Sequence, residues 1–125
     1  MFRCAVLLFA ALFAVGAAAQ VQRNFPPDAL RGEIVIDNPP EARLNGNPLR
    51  LAPGARIRGQ NNMLAMSGSL VGQRLAVHYT LSAHGDLKDV WILTPEEFAR
   101  RPWPGTPKEA ASWQFDRAAQ TWTKP

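Results

Sequence analysis

Cysteine is almost absent from this sequence. The only one, Cys4, lies close to the N-terminus, so the chain cannot close an internal disulfide, and no Cys-based metal site or catalytic thiolate is expected in the rest of it. The sequence also contains no Asn-x-Ser/Thr glycosylation site. Small domains exported into extracellular settings usually carry disulfides. This composition therefore favours a bacterial periplasm over a eukaryotic secretory route.

Residues that commonly perform catalysis are also scarce. Histidine occurs only as His78 and His84, and no serine lies in a Gly-x-Ser-x-Gly nucleophile elbow. His84, Asp86 and Asp89 fall within six residues and have metal-ligand chemistry, but a solvated hairpin turn is the favoured interpretation because turn propensity alone explains His84-Gly85-Asp86. No phosphate loop, dinucleotide fingerprint or zinc spacing occurs. We predict no catalytic residue, no metal site and no cofactor; the alternative is a small periplasmic hydrolase or metal-dependent enzyme using His78 or His84.

The N-terminus has the three parts of a cleavable signal peptide. Arg3 supplies a positive charge, an unbroken run of 12 apolar residues begins at Cys4, and Ala17-Ala18-Ala19 provides a small-residue cleavage site. The alternative is an uncleaved membrane anchor, but the 16 apolar residues of 4–19 fall short of a spanning helix of about 20. We expect cleavage after Ala19, export to the periplasm or beyond, and no membrane span afterwards. Lipidation is not expected because Cys4 precedes the apolar core.

The charge of the chain is small and locally concentrated. The net charge of +4 falls to +3 when Arg3 is removed. Five arginines lie in one stretch in which Glu41 is the only acid: Arg43, Arg50, Arg56, Arg58 and Arg74. Together they would form a basic face suited to nucleic acid, lipid headgroups or an acidic glycan. The alternative is a set of solvent-facing arginines at alternating strand positions.

Short strand patterns separated by turn signals fill residues 29–93. Asn45-Gly46 suits a tight hairpin, Pro53-Gly54 predicts another turn, and residues 73–81 alternate with Leu75, Val77, Tyr79 and Leu81 on one face and His78 on the other. Five to seven such strands predict a mainly β fold, either a small antiparallel, OB-like barrel or a sandwich. The chain then divides into a signal peptide (1–19), a flexible leader (20–28), a barrel core (29–93) and a C-terminal segment (94–125).

The C-terminal segment changes to helix signals and tryptophans. Thr94-Pro95-Glu96-Glu97 and Thr106-Pro107-Lys108-Glu109 both indicate capped helix starts, and residues 115–122 are expected to form a terminal strand or strap. Trp103, Trp113 and Trp122 recur beside prolines. They are either platforms that stack on bases or sugars or anchors that pack this segment onto the barrel.

A resemblance follows from three stretches: Leu44-Asn45-Gly46-Asn47-Pro48-Leu49 with Leu51-Ala52-Pro53-Gly54-Ala55-Arg56-Ile57, then residues 70–79, then residues 85–93. The spacing of strands and turns in these stretches resembles that of small exported OB-like barrels of Gram-negative bacteria. The whole chain resembles small secreted or periplasmic proteins of such bacteria whose activity is uncharacterised. The resemblance implies no activity and no site residues. We expect a non-enzymatic binding or accessory domain of the envelope whose partner is an envelope protein or an anionic polymer, or a structural subunit exposing an apolar patch.

Overall fold

The computed structural model describes residues 22–125, so the predicted signal peptide lies outside the described residues. Within that range the first five strands form a barrel, and two short helices and a two-stranded sheet follow. The strands are β1 (Leu30–Asn38), β2 (Glu41–Leu44), β3 (Asn47–Arg58), β4 (Leu75–Leu81), β5 (Leu87–Ile92), β6 (Gln114–Asp116) and β7 (Thr121–Thr123). The helices are α1 (Pro95–Phe98) and α2 (Pro107–Ser112), and a 3-10 turn spans Ser67–Leu70.

The barrel closes in the order β1-β2-β3-β5-β4. The predicted small OB-like barrel is therefore confirmed. Four of its pairings are antiparallel, whereas β3 and β5 run parallel. Parallel neighbours cannot be joined by a hairpin. Between β3 and β5 the chain makes a long connection and then forms β4.

The hairpin turns match the local sequence signals. Asn45 and Gly46 both adopt positive φ, at 51° and 84°, in the turn between β2 and β3. The turn predicted at Pro53-Gly54 is wrong: these residues lie inside β3, where the register shifts between Leu51 and Arg56. The irregularity bends β3, so that its first half pairs with β2 and its second half with β5.

Alternating side chains fill the barrel. Ile34 and Ile36 of β1, Val77 of β4, and Leu87 and Val90 of β5 are completely buried. β4 departs from the predicted one-sided pattern, since His78 and Thr80 on its other face are buried as well. A second apolar cluster covers His78, and its members are Phe25, Ala29, Leu93, Trp103 and Trp122.

Both predicted helix starts are capped as expected. Thr94 accepts a hydrogen bond from the Glu97 amide at 3.2 Å, and the Glu97 carboxylate accepts one from the Thr94 amide at 2.9 Å. Thr106 accepts from the Glu109 amide at 3.2 Å. The predicted terminal strap is the hairpin of β6 and β7.

The expectation of a flexible leader is wrong for residues 22–28. They form no strand or helix, but Arg23 and Phe25 are buried. The Arg23 guanidinium pairs with Glu97 and donates to the Ile92 carbonyl at 2.7 Å. The Phe25 amide donates to the side-chain oxygen of Gln120 at 2.8 Å. These contacts fix the segment because its polar groups find partners that lie far along the chain.

No helix among residues 22–125 has the length and apolar character needed to cross a membrane.

Candidate binding surfaces

Two of the five predicted arginines have acidic neighbours on the barrel. Arg43 of β2 holds Asp37 of β1 through two hydrogen bonds of 3.0 Å, and Arg50 of β3 lies 3.4 Å from Glu41 of β2. Adjacent strands bring these residues together, although Asp37 lies outside the arginine-rich stretch of the sequence. The local positive charge of this part of the barrel is reduced accordingly.

Of the other three arginines, only Arg74 lies beside one of that pair. Arg56 is exposed on β3, in register with Asp89 of β5. Arg58 is half-buried, and its guanidinium lies 3.5 Å from the Asn62 carbonyl. Arg74 precedes β4 and lines a shallow groove of about 200 Å³ together with Arg43 and Glu33. The five arginines are thus divided among different surfaces.

A larger groove, of about 610 Å³, runs beside β3. The turn between β1 and β2, the middle of β3, the β4–β5 hairpin and the loop after β3 all contribute to it; they supply Pro39 and Pro40, Arg50 to Ala55 with Ile57, Asp86, and Ala65 with Ser67. These elements form the usual ligand side of OB-like barrels. Arg50 is the one predicted arginine that lines it.

Large apolar side chains project from the loop next to this groove. Met63, Leu64 and Met66 are 68%, 67% and 80% exposed, and we refer to these three residues as the apolar loop. The backbone beside them is held in place: the Ala65 amide donates to the Ile57 carbonyl at 2.8 Å, and the Gly59 amide donates to the Met63 carbonyl at 2.9 Å. Short strands were expected throughout residues 29–93, whereas this segment forms only a single bridge, from Leu64 to Arg58.

His78 is buried beneath the C-terminal segment and is only 1% exposed. Its ring stacks on Trp103 at 4.0 Å between centroids and meets the edge of Phe25 at 4.4 Å. Burial, followed by the positive charges of Arg31, Arg23 and Arg100, lowers the pKa of His78 to about 2. The imidazole is therefore neutral at any physiological pH.

Arg31 of β1 fixes the orientation of that imidazole. Its Nε and Nη2 lie 3.2 and 3.1 Å from Nε2 of His78, which must accept, so the ring proton is on Nδ1. The other Arg31 donors bind the carbonyl oxygens of Glu97, Phe98 and Arg100 at 2.8 to 3.1 Å. All five N–H groups of Arg31 are thereby used: two hold the imidazole, and three hold the end of α1 and the following turn. Burial and then Arg101 lower the pKa of Arg31 to about 10, so it stays charged at neutral pH.

Glu97 of α1, whose main-chain carbonyl binds Arg31, has a fully engaged carboxylate. Burial favours its neutral form, but hydrogen bonds from Arg23 and Thr94 outweigh burial, and the pKa of Glu97 is lowered. The carboxylate consequently remains ionised and bound to Arg23.

Neither histidine has the partners that a hydrolase requires. Nδ1 of His78 has no hydrogen-bond partner among residues 22–125, and His84 is exposed at the tip of the β4–β5 hairpin. The same part of the chain contains no group of three His, Cys, Asp or Glu side chains placed to hold a metal ion.

The tryptophans differ in how they are placed. Trp103 and Trp122 are buried in the second cluster, and the Trp103 indole donates to the Ala29 carbonyl at 3.0 Å. Trp113 is half-buried and lines a surface groove of about 740 Å³, together with Trp103. The other residues of this groove are Arg31, Phe98, Arg101, Pro102 and Lys124. Two of the three predicted tryptophans therefore meet at one surface.

Several residues that shape these surfaces were missed in the sequence. In the sequence, nothing distinguishes Arg31 from an arginine on the exposed face of a strand. Only the fold places the C-terminal segment against it. Arg101 and Lys124 stand far apart in sequence and carry no motif. The apolar loop did leave a signal, since Met63, Leu64 and Met66 form an apolar run directly after the Gln60-Asn61-Asn62 turn.

The fold and these surfaces define a small closed β-barrel with a covering C-terminal segment and two candidate binding grooves. Comparison of the chain with protein-family models, with curated proteins and with solved structures finds no match.

Proposed function

We propose that this protein is an exported, non-enzymatic binding domain of the bacterial envelope that docks on a partner protein through its apolar loop. The observation that supports this most strongly is the exposure of Met63, Leu64 and Met66, three large apolar side chains within four residues. Single exposed apolar residues are common on protein surfaces, whereas contiguous ones mark interaction sites.

The energetics favour a partner that buries these side chains. Fully burying one Met or Leu side chain contributes about 1.5–3 kcal/mol, so covering the apolar loop makes several kcal/mol available to an interface. Methionine side chains are flexible and adapt to the shape of a partner. The backbone of the loop is already fixed by its hydrogen bonds to β3 and within the turn, so little ordering of the main chain is needed on docking.

The groove beside β3 supports a protein partner rather than a polyanion. Prolines at 39, 40 and 53, small residues, and the side chains of Leu51 and Ile57 make up most of its lining. Arg50 is the only basic residue in it, and Glu41 lies 3.4 Å from that guanidinium. An extended protein segment with apolar side chains suits such a surface better than a chain of phosphates or carboxylates.

The first test places a photo-crosslinking amino acid at position 64 in cells that export the protein. Position 119, which is exposed on the turn before β7, serves as the control. We expect one discrete adduct of higher mass at position 64 and none at position 119, with the partner identified by mass spectrometry. Equal labelling at both positions, or adducts consisting only of two copies of this chain, would contradict the proposal.

The second test measures affinity for the purified partner with the apolar loop altered. The variant Met63→Ser/Leu64→Ser/Met66→Ser should weaken binding at least tenfold, about 1.4 kcal/mol, while the unfolding midpoint stays within a few degrees because these side chains are already exposed. Leu81→Ser, which alters an exposed apolar residue at the end of β4 and outside the apolar loop, is the matched control and should bind normally. Retention of affinity in the triple variant, or salt-sensitive binding to anionic polymers in place of a protein partner, would overturn the proposal.

A further inference from the structure

The second groove, of about 740 Å³, combines aromatic rings with cations. Phe98 and Arg101 come from the end of α1 and the following turn, whereas Trp113 follows α2 and Lys124 lies near the C-terminus. Trp103, almost fully buried, lies between these two sides in the sequence and contacts the covered His78. We refer to this surface as the cation–aromatic groove.

Two of its three cations have no acidic partner among the described residues. Arg31, Arg101 and Lys124 line the groove, and no acidic residue does. Among residues 22–125, neither Arg101 nor Lys124 forms a salt bridge, whereas Arg23, Arg43 and Arg50 each pair with an acid. Like charges gathered at one surface repel each other and attract an anion.

Only two of the three cations have N–H donors available to bind a ligand. All five N–H groups of Arg31 are bound to the imidazole and to main-chain carbonyls, so this residue contributes charge but no hydrogen bond. The Arg101 guanidinium lies 4.8 Å from the Phe98 ring centroid, and the Lys124 ammonium lies 5.3 Å from that of Trp113. Each free cation thus sits beside an aromatic side chain, on either side of the groove.

We propose that the cation–aromatic groove binds an acidic saccharide, a sugar ring that carries a carboxylate or phosphate. Arg101 and Lys124 bind the anionic group through charge-assisted hydrogen bonds, and Phe98, Trp113 and Pro102 supply apolar surface for the C–H groups of the ring. The proposal is independent of the apolar loop, which lies in the connection between β3 and β4.

The placement of the cations favours a sugar over a nucleic-acid base. A base stacks with its flat face on an open aromatic face. In this groove Arg101 lies over Phe98 and Lys124 lies over Trp113, so a ligand meets the cations before it meets those faces. A puckered ring that presents its anionic group to the cations can place C–H groups against the part of Phe98 that stays exposed, and it does not need a whole open face.

The test is isothermal titration of the purified protein with oligogalacturonate at low salt and at 150 mM NaCl. The methyl-esterified oligomer, which has the same sugar ring without charge, and oligo-deoxythymidine are the comparison probes. We expect binding to the acidic oligomer that weakens with salt, and binding at least tenfold weaker for both comparison probes. Equal affinity for the neutral oligomer, or tighter binding of the oligonucleotide, would overturn the proposal.

Matched variants locate the site. Arg101→Gln/Lys124→Gln removes both free cations and should weaken binding by about tenfold or more. Arg56→Gln/Arg74→Gln removes the same charge from exposed positions outside the groove and should change affinity less than twofold. Trp113→Ala should weaken binding without reducing its salt dependence, because it removes apolar surface and no charge. An equal loss in the two double variants would show a general charge effect and contradict a site.

Discussion

Arg23 and Glu97, 74 positions apart in the chain, form a buried ion pair that ties the start of the described chain to helix α1. Nε of Arg23 donates to one carboxylate oxygen at 2.9 Å, and Nη2 donates to the other. The same guanidinium binds the carbonyl oxygens of Gly59 and Ile92 at 2.8 and 2.7 Å. One side chain thus joins the leader, the end of β3, the end of β5 and α1.

Removal of one partner of this pair should destabilise the protein strongly. Glu97→Gln leaves Arg23 buried without a counter-charge, and we expect a loss of about 3–5 kcal/mol in the free energy of unfolding. Urea unfolding followed by tryptophan fluorescence measures this. The double variant Arg23→Leu/Glu97→Leu should lose less unfolding free energy than Arg23→Leu and Glu97→Leu lose in sum, because it leaves no unpaired buried charge.

The control for this prediction is an ion pair at the surface. Asp37→Asn breaks the exposed pair with Arg43, and the unfolding free energy should be nearly unchanged because water replaces the lost contact. A loss for Asp37→Asn that equals the loss for Glu97→Gln would contradict the role assigned to burial.

The barrel could be predicted because its signals are local. The strand signal of β4 and the positive φ tolerated at Asn45-Gly46 act over a few residues, and both the strand and the turn form as expected, although burial on both faces of β4 does not follow from that signal. The parallel pairing of β3 and β5 depends on how the chain crosses the barrel after Arg58. No local sequence signal predicts that crossing.

The binding surfaces were less predictable because they depend on long-range contacts. Alternation correctly places His78 outside the barrel interior, but the side chains that cover it, Phe25 and Trp103, lie 53 and 25 positions away. The pairing of Arg43 with Asp37 likewise appears only when β1 and β2 lie side by side. A short apolar run such as the apolar loop fits a buried strand as well as an exposed loop.

A side chain at Gly32 of β1 should force its neighbours to shift. A Cβ at this position would lie 2.9 Å from Cδ1 of Leu44 and 3.1 Å from Cε1 of Tyr79. Gly32→Ala should therefore lower the free energy of unfolding by about 1–3 kcal/mol through overpacking. Gly68→Ala, where a Cβ meets nothing within 4 Å, is the control and should change it by less than about 0.5 kcal/mol.

The exported protein should begin at Gln20. Cleavage after Ala19 removes the only cysteine, so the mature protein should show no reaction with thiol reagents. Intact-mass spectrometry of the protein recovered from the periplasm or medium checks both statements. Replacing Ala17 and Ala19 with bulky Leu should block processing because the cleavage site requires small residues. A recovered protein that retains Met1 or Cys4 would contradict the predicted cleavage.

His78 should make stability depend on pH at mildly acidic values. In the unfolded chain its pKa is near 6.5, and in the folded protein it is about 2, so the unfolded state binds the proton first. The stability that the neutral His78 contributes is present above pH 6.5 and is lost as the pH falls toward 2. Between pH 7 and pH 5 the free energy of unfolding falls by about 2 kcal/mol. Glu97, whose folded pKa lies below 4.5, stays ionised throughout this interval.

Two histidine variants separate this effect from other acid-sensitive groups. His78→Phe retains a ring against Trp103 but leaves two Arg31 donors without an acceptor, so at pH 7 it should cost about 1–3 kcal/mol. Between pH 7 and pH 5 the free energy of unfolding of His78→Phe should change little. The wild type should therefore lose most of the extra stability that it has over this variant at pH 7. His84→Asn, at an exposed position, should follow the wild-type profile in urea unfolding at pH 7, 6 and 5. A His78→Phe protein that keeps the wild-type pH profile would show that His78 is not the titrating group.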